Sequence, residues 1–418
     1  MISNIIYMAF LVAIVSVAGS AFSREIIVSQ DGKENSVFIK EAIINCSDGD
    51  RVIIKKGIYR ENNIIIDKAI EITGEEFPVI DLEFLYQGFT VRSDNVSISG
   101  IEIRNINVNY MNDLSAIKIE NSNNCKIENN ILNNTFFAVY LAGTSHCLIK
   151  NNKIYGQAKS ESSSGNGIHL WKCNNINIEY NEITGHRDGI YFEFVTKTII
   201  TGNYSHDNLR YGLHFMFSDS NAYTENLFRE NGAGVAVMYT KNIEMINNRF
   251  EDNWGPASYG LLLKDISRSL IKGNLFYKNT TAIYMEGSDL ILVQENDFNS
   301  NGWATKILGN CINNKFTGNN FTGNTFDVSS NSSRNENIYS GNFWDKYVGY
   351  DLDKDNTGDI PYRPVSLYSM IIDKVPESII LLRSFMVDLI DLTEKAMPVL
   401  IPITLIDEKP KMRKINYD

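Results

Sequence analysis

The sequence predicts an all-β fold, a right-handed parallel β-helix (a solenoid) of about 22 residues per coil, followed by a short C-terminal tail containing amphipathic helix. Two columns of residues predict it. A small residue opens each apolar run, and an asparagine follows fourteen residues later; both columns advance in steps of 22, 29, 22, 23, 22, 26 and 22 residues. The opening residues are Ala116, Ala138, Gly167, Gly189, Gly212, Gly234, Gly260 and Ala282, and the asparagines are Asn130, Asn152, Asn181, Asn203, Asn226, Asn248, Asn274 and Asn296.

Within each repeat the apolar residues alternate with a period of two, which is typical of strands rather than helices. The asparagine column is expected at a sharp corner, in the αL conformation, with its amides hydrogen-bonded in a ladder between coils. The two long steps come from Tyr155 to Asn166 and Trp254 to Tyr259. Both insertions enlarge the same turn, so both loops are expected to project from one edge of the solenoid.

The chain divides into three parts. Residues 1–23 are predicted to be a signal peptide, because an apolar run over Ile5–Val17 is followed by small residues that permit cleavage after Ser20 or Ser23. An uncleaved anchor is the alternative. Residues 24–342 are predicted to form the β-helix, and residues 343–418 an acidic loop and a helical docking tail.

Composition narrows the class of protein. Hydrophobic residues make up 43% and charged residues 21% of the chain, as in folded globular proteins. The formal net charge of −11 argues against a nucleic-acid binder, which needs a basic surface. Five cysteines are too few and too scattered for a disulfide scaffold.

The alternation also assigns faces to each strand. Counted from the opening residue, positions +1 and +3 are apolar almost throughout and are predicted to point inward, so positions +2 and +4 point outward. The outward pairs in successive coils are His169/Trp171, Tyr191/Glu193, His214/Met216, Ala236/Met238, Leu262/Lys264 and Tyr284/Glu286.

The outward face contains a candidate copper site. His214 and Met216 are about 7 Å apart along one strand, and Met238 lies about 5 Å from Met216 on the next. His169 is on the same column as His214, two coils away. Imidazole and thioether ligands suit Cu(I). Two alternatives remain open at this point: an apolar patch for a partner protein, and local cover by a loop.

A second candidate metal site lies in the tail. Asp351, Asp353, Asp355 and Asp359 follow the spacing of the first ligands of a Ca²⁺ loop. The loop has Asn356 where such loops have glycine and lacks their closing glutamate, and Asx turns use the same residues.

Catalytic groups are scarce in the sequence. The outward stripe has two glutamates and one lysine, scattered, with no nucleophile–base set. His186 and His206 fall at coil corners, where solvated side chains are expected. The sequence therefore favours a protein without enzymatic activity. The alternatives are a carbohydrate-active β-helix, such as a polysaccharide lyase or epimerase, and a purely structural partner-binding module.

Four stretches, residues 208–221, 232–266, 341–368 and 376–410, closely resemble the NosD family, periplasmic β-helix proteins of nitrous oxide reductase maturation. The resemblance covers roughly Arg24 to Pro410. It implies a periplasmic accessory protein at the outer face of the inner membrane, bound to an ABC transporter that is formed by NosF and NosY. It also implies that copper comes from the lipoprotein chaperone NosL and goes to the clusters of nitrous oxide reductase. Under this reading His214, Met216 and Met238 relay Cu(I), and the amphipathic segment Val375–Pro402 docks on the transporter or caps the solenoid.

Overall fold

The computed structural model describes residues 23–109, 112–332, 336–397 and 405–417. The predicted signal peptide lies outside these residues except for Ser23. Over the described residues the chain forms three parallel sheets of 14, 13 and 12 strands, and every coil except the first and the last contributes one strand to each sheet in turn. The predicted all-β parallel β-helix is therefore confirmed.

The strands of one sheet pair only with the same strands of the coils above and below. Sheet 1 contains Glu25–Val28, Arg51–Ile54, Glu71–Gly74, Ser97–Ser99, Lys126–Glu128, Leu148–Lys150, Asn177–Glu179, Ile199–Thr201, Ala222–Thr224, Glu244–Ile246, Leu270–Lys272, Leu292–Gln294, Lys315–Thr317 and Ile338–Ser340. Sheet 2 contains Ile58–Tyr59, Val79–Asp81, Glu102–Arg104, Ile131–Thr135, Lys153–Gly156, Glu182–Thr184, Tyr204–His206, Leu227–Arg229, Arg249–Glu251, Leu275–Tyr277, Asp297–Asn299, Asn320–Thr322 and Phe343–Trp344. Sheet 3 contains Ile64–Ile66, Phe89–Val91, Ser115–Glu120, Phe137–Ala142, Ile168–Trp171, Asp188–Glu193, Tyr211–Met216, Ala233–Met238, Tyr259–Lys264, Thr281–Glu286, Trp303–Ile307 and Phe326–Ser330.

The predicted alternation of faces holds on sheet 3. The residues at positions +1 and +3 are fully buried in the coils that open at Gly167, Gly189, Gly212, Gly234 and Gly260. Their side chains fill the interior, where like residues stack on like. Apolar burial of this kind stabilises each coil only through its neighbours, so the array is held together by contacts between successive coils.

The asparagine column forms the predicted ladder. From Asn130 to Asn342 each side-chain amide donates to the carbonyl oxygen of the next asparagine side chain over 2.9–3.1 Å. The expectation about its backbone was wrong. The αL conformation belongs to the residue before each ladder asparagine, as in Asn129, Asn151 and Glu225.

A second ladder lies five residues further along each coil and was not predicted. From Asn208 to Asn301, the backbone N–H of each ladder asparagine donates to the side-chain oxygen of the asparagine in the next coil, over 2.9–3.3 Å. Its members are Asn208, Asn231, Asn253, Asn279, Asn301 and Asn324. The two ladders together hold both corners that flank sheet 2.

Both predicted loops enlarge one turn, which joins sheet 2 to sheet 3. The first follows Lys153–Gly156 and contains a 3₁₀ turn over Glu161–Ser163, and the second precedes Tyr259–Lys264. Because this turn borders sheet 3, the loops lie beside the outward face that carries the histidines and methionines.

Both ends of the array are covered. Helix α1 (Ile39–Ile44) buries Ile39, Ala42 and Ile43 against the first coils. At the other end, α2 (Leu367–Lys374) packs on the last coils, and residues 405–417 return to pair with them. A 3₁₀ turn (Pro376–Leu381) and α3 (Phe385–Ala396) follow α2. No helix in the described part of the chain is long and apolar enough to cross a membrane.

Candidate metal-binding face

The outward side of sheet 3 presents two parallel columns of side chains. In the column at position +2, Tyr140, His169, Tyr191, His214 and Ala236 face one another in register. In the column at position +4, Glu193 pairs with Met216, which pairs with Met238. Paired residues of neighbouring strands are about 5 Å apart. The structure thus places the two thioether side chains beside each other. Met216 is the next outward residue after His214 on the same strand.

The +2 column is a stack of aromatic rings. The ring of His169 lies 4.5 Å from that of Tyr140, almost parallel to it, and 4.8 Å from that of Tyr191. Tyr191 in turn meets His214 edge-on at 5.1 Å. Because Tyr191 lies between the two imidazoles, they are separated by two strand spacings, about 10 Å. His169 therefore does not converge on one ion with His214.

Local cover accounts for the position of His169. The amide of Asn166, at the end of the first long loop, lies 3.0 Å from His169 Nδ1, and Phe137 packs edge-on against the ring. Burial, together with the nearby Arg187, lowers the pKa of His169 to about 3. The ring is therefore neutral at pH 7, and it serves as a packed member of the stack.

His214 has a different environment, built on a buried ion pair. Arg210 donates to both carboxylate oxygens of Asp188 over 2.9 and 2.5 Å, and His214 Nδ1 lies 3.4 Å from Asp188. Asp188 is completely buried and His214 is 5% exposed. Burial alone would raise the pKa of Asp188, but the Arg210 and His214 groups outweigh it and hold that pKa below its usual value.

The other ring nitrogen of His214 is unsatisfied. Nε2 is buried and has no hydrogen-bond partner among the described residues. Nδ1 also lies 3.4 Å from an Arg210 nitrogen. In the tautomer whose Nδ1–H donates to Asp188, the carboxylate orients the ring and raises the basicity of Nε2, an arrangement common around metal ligands. His214, Met216 and Met238 therefore form a set with one oriented imidazole and two adjacent sulfurs.

Sequence reasoning missed Asp188 and Arg210. Asp188 stands just before the opening glycine of its coil, outside the positions that the alternation assigns. A usable signal was present, since opposite charges at Asp188 and Arg210 are separated by 22 residues, which is one coil.

The acidic loop has the geometry of Asx turns. Carboxylate oxygens of Asp351, Asp353 and Asp355 lie within 4.8 Å of one another, the only such group of three among the described residues. Asp351 accepts from the backbone N–H groups of Lys354 and Asn356 over 2.6 and 2.9 Å. Asp359 is not part of this group, and its side chain accepts from the N–H of Leu352.

The expectation of a solvated corner was wrong for His186. The ring is 1% exposed, lies 2.9 Å from the Thr135 hydroxyl, and occupies the position of the second ladder that precedes Asn208. Burial lowers its pKa to about 4. His206 is half-buried and lies against Asp207 at 2.6 Å.

Comparison with known proteins agrees with this architecture. A family model described as "Periplasmic copper-binding protein (NosD)" matches residues 151–349, which include all four candidate copper residues. The "Probable ABC transporter binding protein NosD" of Pseudomonas aeruginosa is 27% identical over 387 residues, covering 88% of this chain and 89% of that protein. The protein of the same description from Stutzerimonas stutzeri is 25% identical, over 69% of this chain and 70% of that protein.

Solved structures share the fold. The catalytic domain of a GH87 α-1,3-glucanase has a TM-score of 0.60 at 13% identity, over 77% of this chain and 69% of that one. PfbA, a surface adhesin of Streptococcus pneumoniae, has a TM-score of 0.55 at 14% identity, over 78% and 94%. At these identities the likeness concerns the β-helix alone. The family model and both relatives agree with each other, and the chain is similar to NosD proteins over most of its length.

Proposed function

We propose that this protein is a non-enzymatic, periplasmic accessory protein of an ABC transporter that relays Cu(I) for the maturation of nitrous oxide reductase. The observation that carries the proposal is the paired Met216 and Met238 beside His214, whose Nε2 has no hydrogen-bond partner in the part of the chain that the structure describes. Thioether and imidazole groups bind Cu(I) without a thiolate that oxidation would consume. The copper-binding description of the matching family supports the same reading.

The proposed partners are the NosY permease, the NosF ATPase, the copper chaperone NosL and nitrous oxide reductase itself. Helix α3 supports docking on a membrane complex. Its side chains Phe385, Met386 and Leu392 are at least half exposed, so the helix keeps an uncovered apolar surface. We place the protein at the outer face of the inner membrane, exported by the segment at 1–23. Part of the predicted docking segment, residues 398–404, lies outside the described residues.

A Cu(I) competition titration tests the relay. In Met216→Leu/Met238→Leu the thioethers are replaced by side chains of similar volume, and we expect Cu(I) affinity to fall at least tenfold. The matched control is Met245→Leu/Met285→Leu, which removes two thioethers that are fully buried in the core. Equal affinity in the wild type and the Met216/Met238 variant contradicts the assignment. Turnover of uronate polymers by the wild type would favour the carbohydrate-active alternative instead.

The acidic loop and His169 are candidates for separate metal sites, and each has its own test. We propose that Asp351, Asp353 and Asp355, with Asp359 beside them, hold Ca²⁺. Added Ca²⁺ should then raise the melting temperature of the wild type and leave that of Asp353→Asn unchanged. His169, which does not share an ion with His214, is proposed only as a separate, secondary copper ligand, and His169→Phe, which keeps the ring stack, should leave the Cu(I) affinity of the His214 site within twofold.

A further inference from the structure

A column of residues follows the outward strands of sheet 3, at position +5 of each coil, where the chain turns toward sheet 1. In the eight coils that open at Ala116 to Ala282, all members of this column have positive φ, between 50° and 65°. Glycine and asparagine tolerate this conformation, whereas bulky side chains rarely adopt it. Five coils have small or polar residues here: Asn121, Gly143, Lys172, Asp265 and Gly287.

Three consecutive coils depart from that pattern. They carry Phe194, Phe217 and Tyr239, which we call the aromatic ridge, with φ of 57°, 51° and 56°. The rings stack at 5.5 and 5.2 Å, and each residue is 41–47% exposed. Because the ridge lies outside the core, burial does not compensate its unfavourable backbone conformation. Strain at an exposed position of this kind is a recurrent mark of functional surfaces.

The ridge borders the two sulfurs. Phe217 follows Met216 directly in the chain, and Tyr239 follows Met238. The ladder of backbone hydrogen bonds continues into the turn, since Phe194 N–H donates to the Met216 carbonyl over 3.2 Å and Phe217 N–H to the Met238 carbonyl over 3.3 Å. The backbone of the ridge is thus fixed relative to the strands that carry the two methionines.

We propose that the aromatic ridge is the docking surface for the copper-carrying protein that exchanges Cu(I) with Met216 and Met238. This inference rests on the proposed function. Exposed aromatic side chains are the residues that most often anchor protein interfaces. Handover of a bound ion requires the partner's ligand to approach the sulfurs directly, and the ridge is the apolar surface that adjoins both.

Ring orientation argues for a protein rather than a sugar as the occupant. The ring planes of Phe194, Phe217 and Tyr239 are within 16° of parallel to their neighbours, so the faces meet each other and the edges point to solvent. Sugars stack on ring faces, whereas the edges pack well against apolar protein side chains. Three side chains cover far less than the roughly 800 Å² per partner of a stable complex, which fits a transient encounter.

The test replaces the ridge by the residue that its backbone prefers. In Phe194→Asn/Phe217→Asn/Tyr239→Asn the strain is relieved, so we expect the melting temperature to rise or stay the same. The affinity for purified, Cu(I)-loaded NosL, measured by calorimetry, should fall at least tenfold. The Cu(I) affinity of the isolated protein should change by less than twofold, because the sulfurs remain.

Tyr180→Asn is the matched control. Tyr180 has the same conformation (φ 53°) and 54% exposure but lies at a different corner, and its replacement should leave NosL affinity unchanged. Undiminished NosL affinity in the triple variant, a fall in its melting temperature, or a ridge-dependent dimer of the wild type each overturn the docking proposal alone. A wild-type chain that binds no Cu(I) overturns both this proposal and the copper relay.

Discussion

At the scale of single residues, the buried pair of Asp188 and Arg210 determines the state of the candidate site. Removing one member of such a pair leaves the other charge buried and uncompensated, which costs about 3–5 kcal/mol. We therefore expect Asp188→Ala to lower the free energy of unfolding by an amount near that range, measured by urea denaturation. Asp188→Ala/Arg210→Ala should recover part of the loss, because neither charge then remains.

Glu286→Ala is the control for this prediction. Glu286 pairs with Lys264 at 3.6 Å on the same face of sheet 3, but both side chains are about one-third exposed. Solvent-exposed pairs contribute about 0–1 kcal/mol. A loss from Asp188→Ala no larger than that from Glu286→Ala would mean that the ion pair does not organise this face.

His186 gives the fold a dependence on pH. Burial lowers its pKa in the folded state to about 4, whereas an unfolded histidine titrates near 6.5. The unfolded state therefore binds the proton first, and the stabilising contribution, complete above pH 6.5, is lost as the pH falls toward 4. Between pH 7 and 5 we expect a loss of about 2 kcal/mol from this group.

His186→Asn tests that assignment, since asparagine occupies the equivalent position in the following coils. Chemical denaturation at pH 7 and pH 5 should show a smaller loss of unfolding free energy in the variant than in the wild type. His169 remains in both proteins, so its own depressed pKa cancels in the difference. Equal losses in the two proteins would assign the acid sensitivity elsewhere.

At the scale of residues, the sequence predicted some features of the candidate site and not others. Period-two alternation correctly assigned Met216 and Met238 to the outward face, because it depends only on the pleat. It could not predict that His214 is 5% exposed, since cover by neighbouring rings and by Asp188 depends on contacts between coils. The order of the coils did place Tyr191 between His169 and His214, but it could not predict that the Tyr191 ring contacts both imidazoles.

At the scale of elements, the asparagine ladder ends on a single carboxylate. Asp407, fully buried, accepts from the backbone and side-chain nitrogens of Asn342 over 3.1 and 3.0 Å, in the place of another asparagine. It also accepts from Gly341 N–H, Lys409 N–H and the Trp344 indole, each over 3.0 Å. Only an acceptor with two oxygens satisfies all five donors.

Asp407→Asn should therefore disrupt the end of the ladder. The new amide nitrogen faces N–H groups that are themselves donors, so hydrogen bonds are lost. We expect the free energy of unfolding to fall by about 2–4 kcal/mol. Hydrogen exchange should show the loss as lower protection in Ile338–Ser340 and Phe343–Trp344, with the coil of Tyr211–Met216 unaffected. Asp353→Asn, at an exposed aspartate, is the control. Uniform loss of protection along the array would contradict a local cap.

Prediction of the elements succeeded where spacing alone decided them. The coil repeat, the first ladder and the shared turn of the two long loops follow from intervals in the sequence. The second ladder is equally regular from Asn208 to Asn324, but it was not predicted because the coil corners contain many other asparagines. Asp407 could not be found from the repeat, since the chain leaves the β-helix for some sixty residues before returning to it.

At the scale of the whole molecule, a parallel β-helix has two open ends, each with unpaired strand edges and an apolar cross-section. Such edges pair with other chains unless they are covered. Here α1 covers one end, and residues 405–417 cover the other by pairing at Tyr339 and Phe343. The last stacked aromatic residue, Trp344, is 1% exposed beneath that cover.

Deletion of residues 405–417 should therefore change the assembly state more than the fold. Because the inner coils depend only on their neighbours, we expect their circular-dichroism signal to persist while the uncovered end recruits other copies. Light scattering coupled to size exclusion should then show species larger than those of the full chain. Leu392→Ser is the control, since Leu392 is 63% exposed on α3 and covers neither end. An unchanged mass distribution after the deletion would mean that α2 alone closes the array, whereas complete loss of β-sheet signal would mean that the cap is required by every coil and that the nearest-neighbour description of this solenoid is wrong.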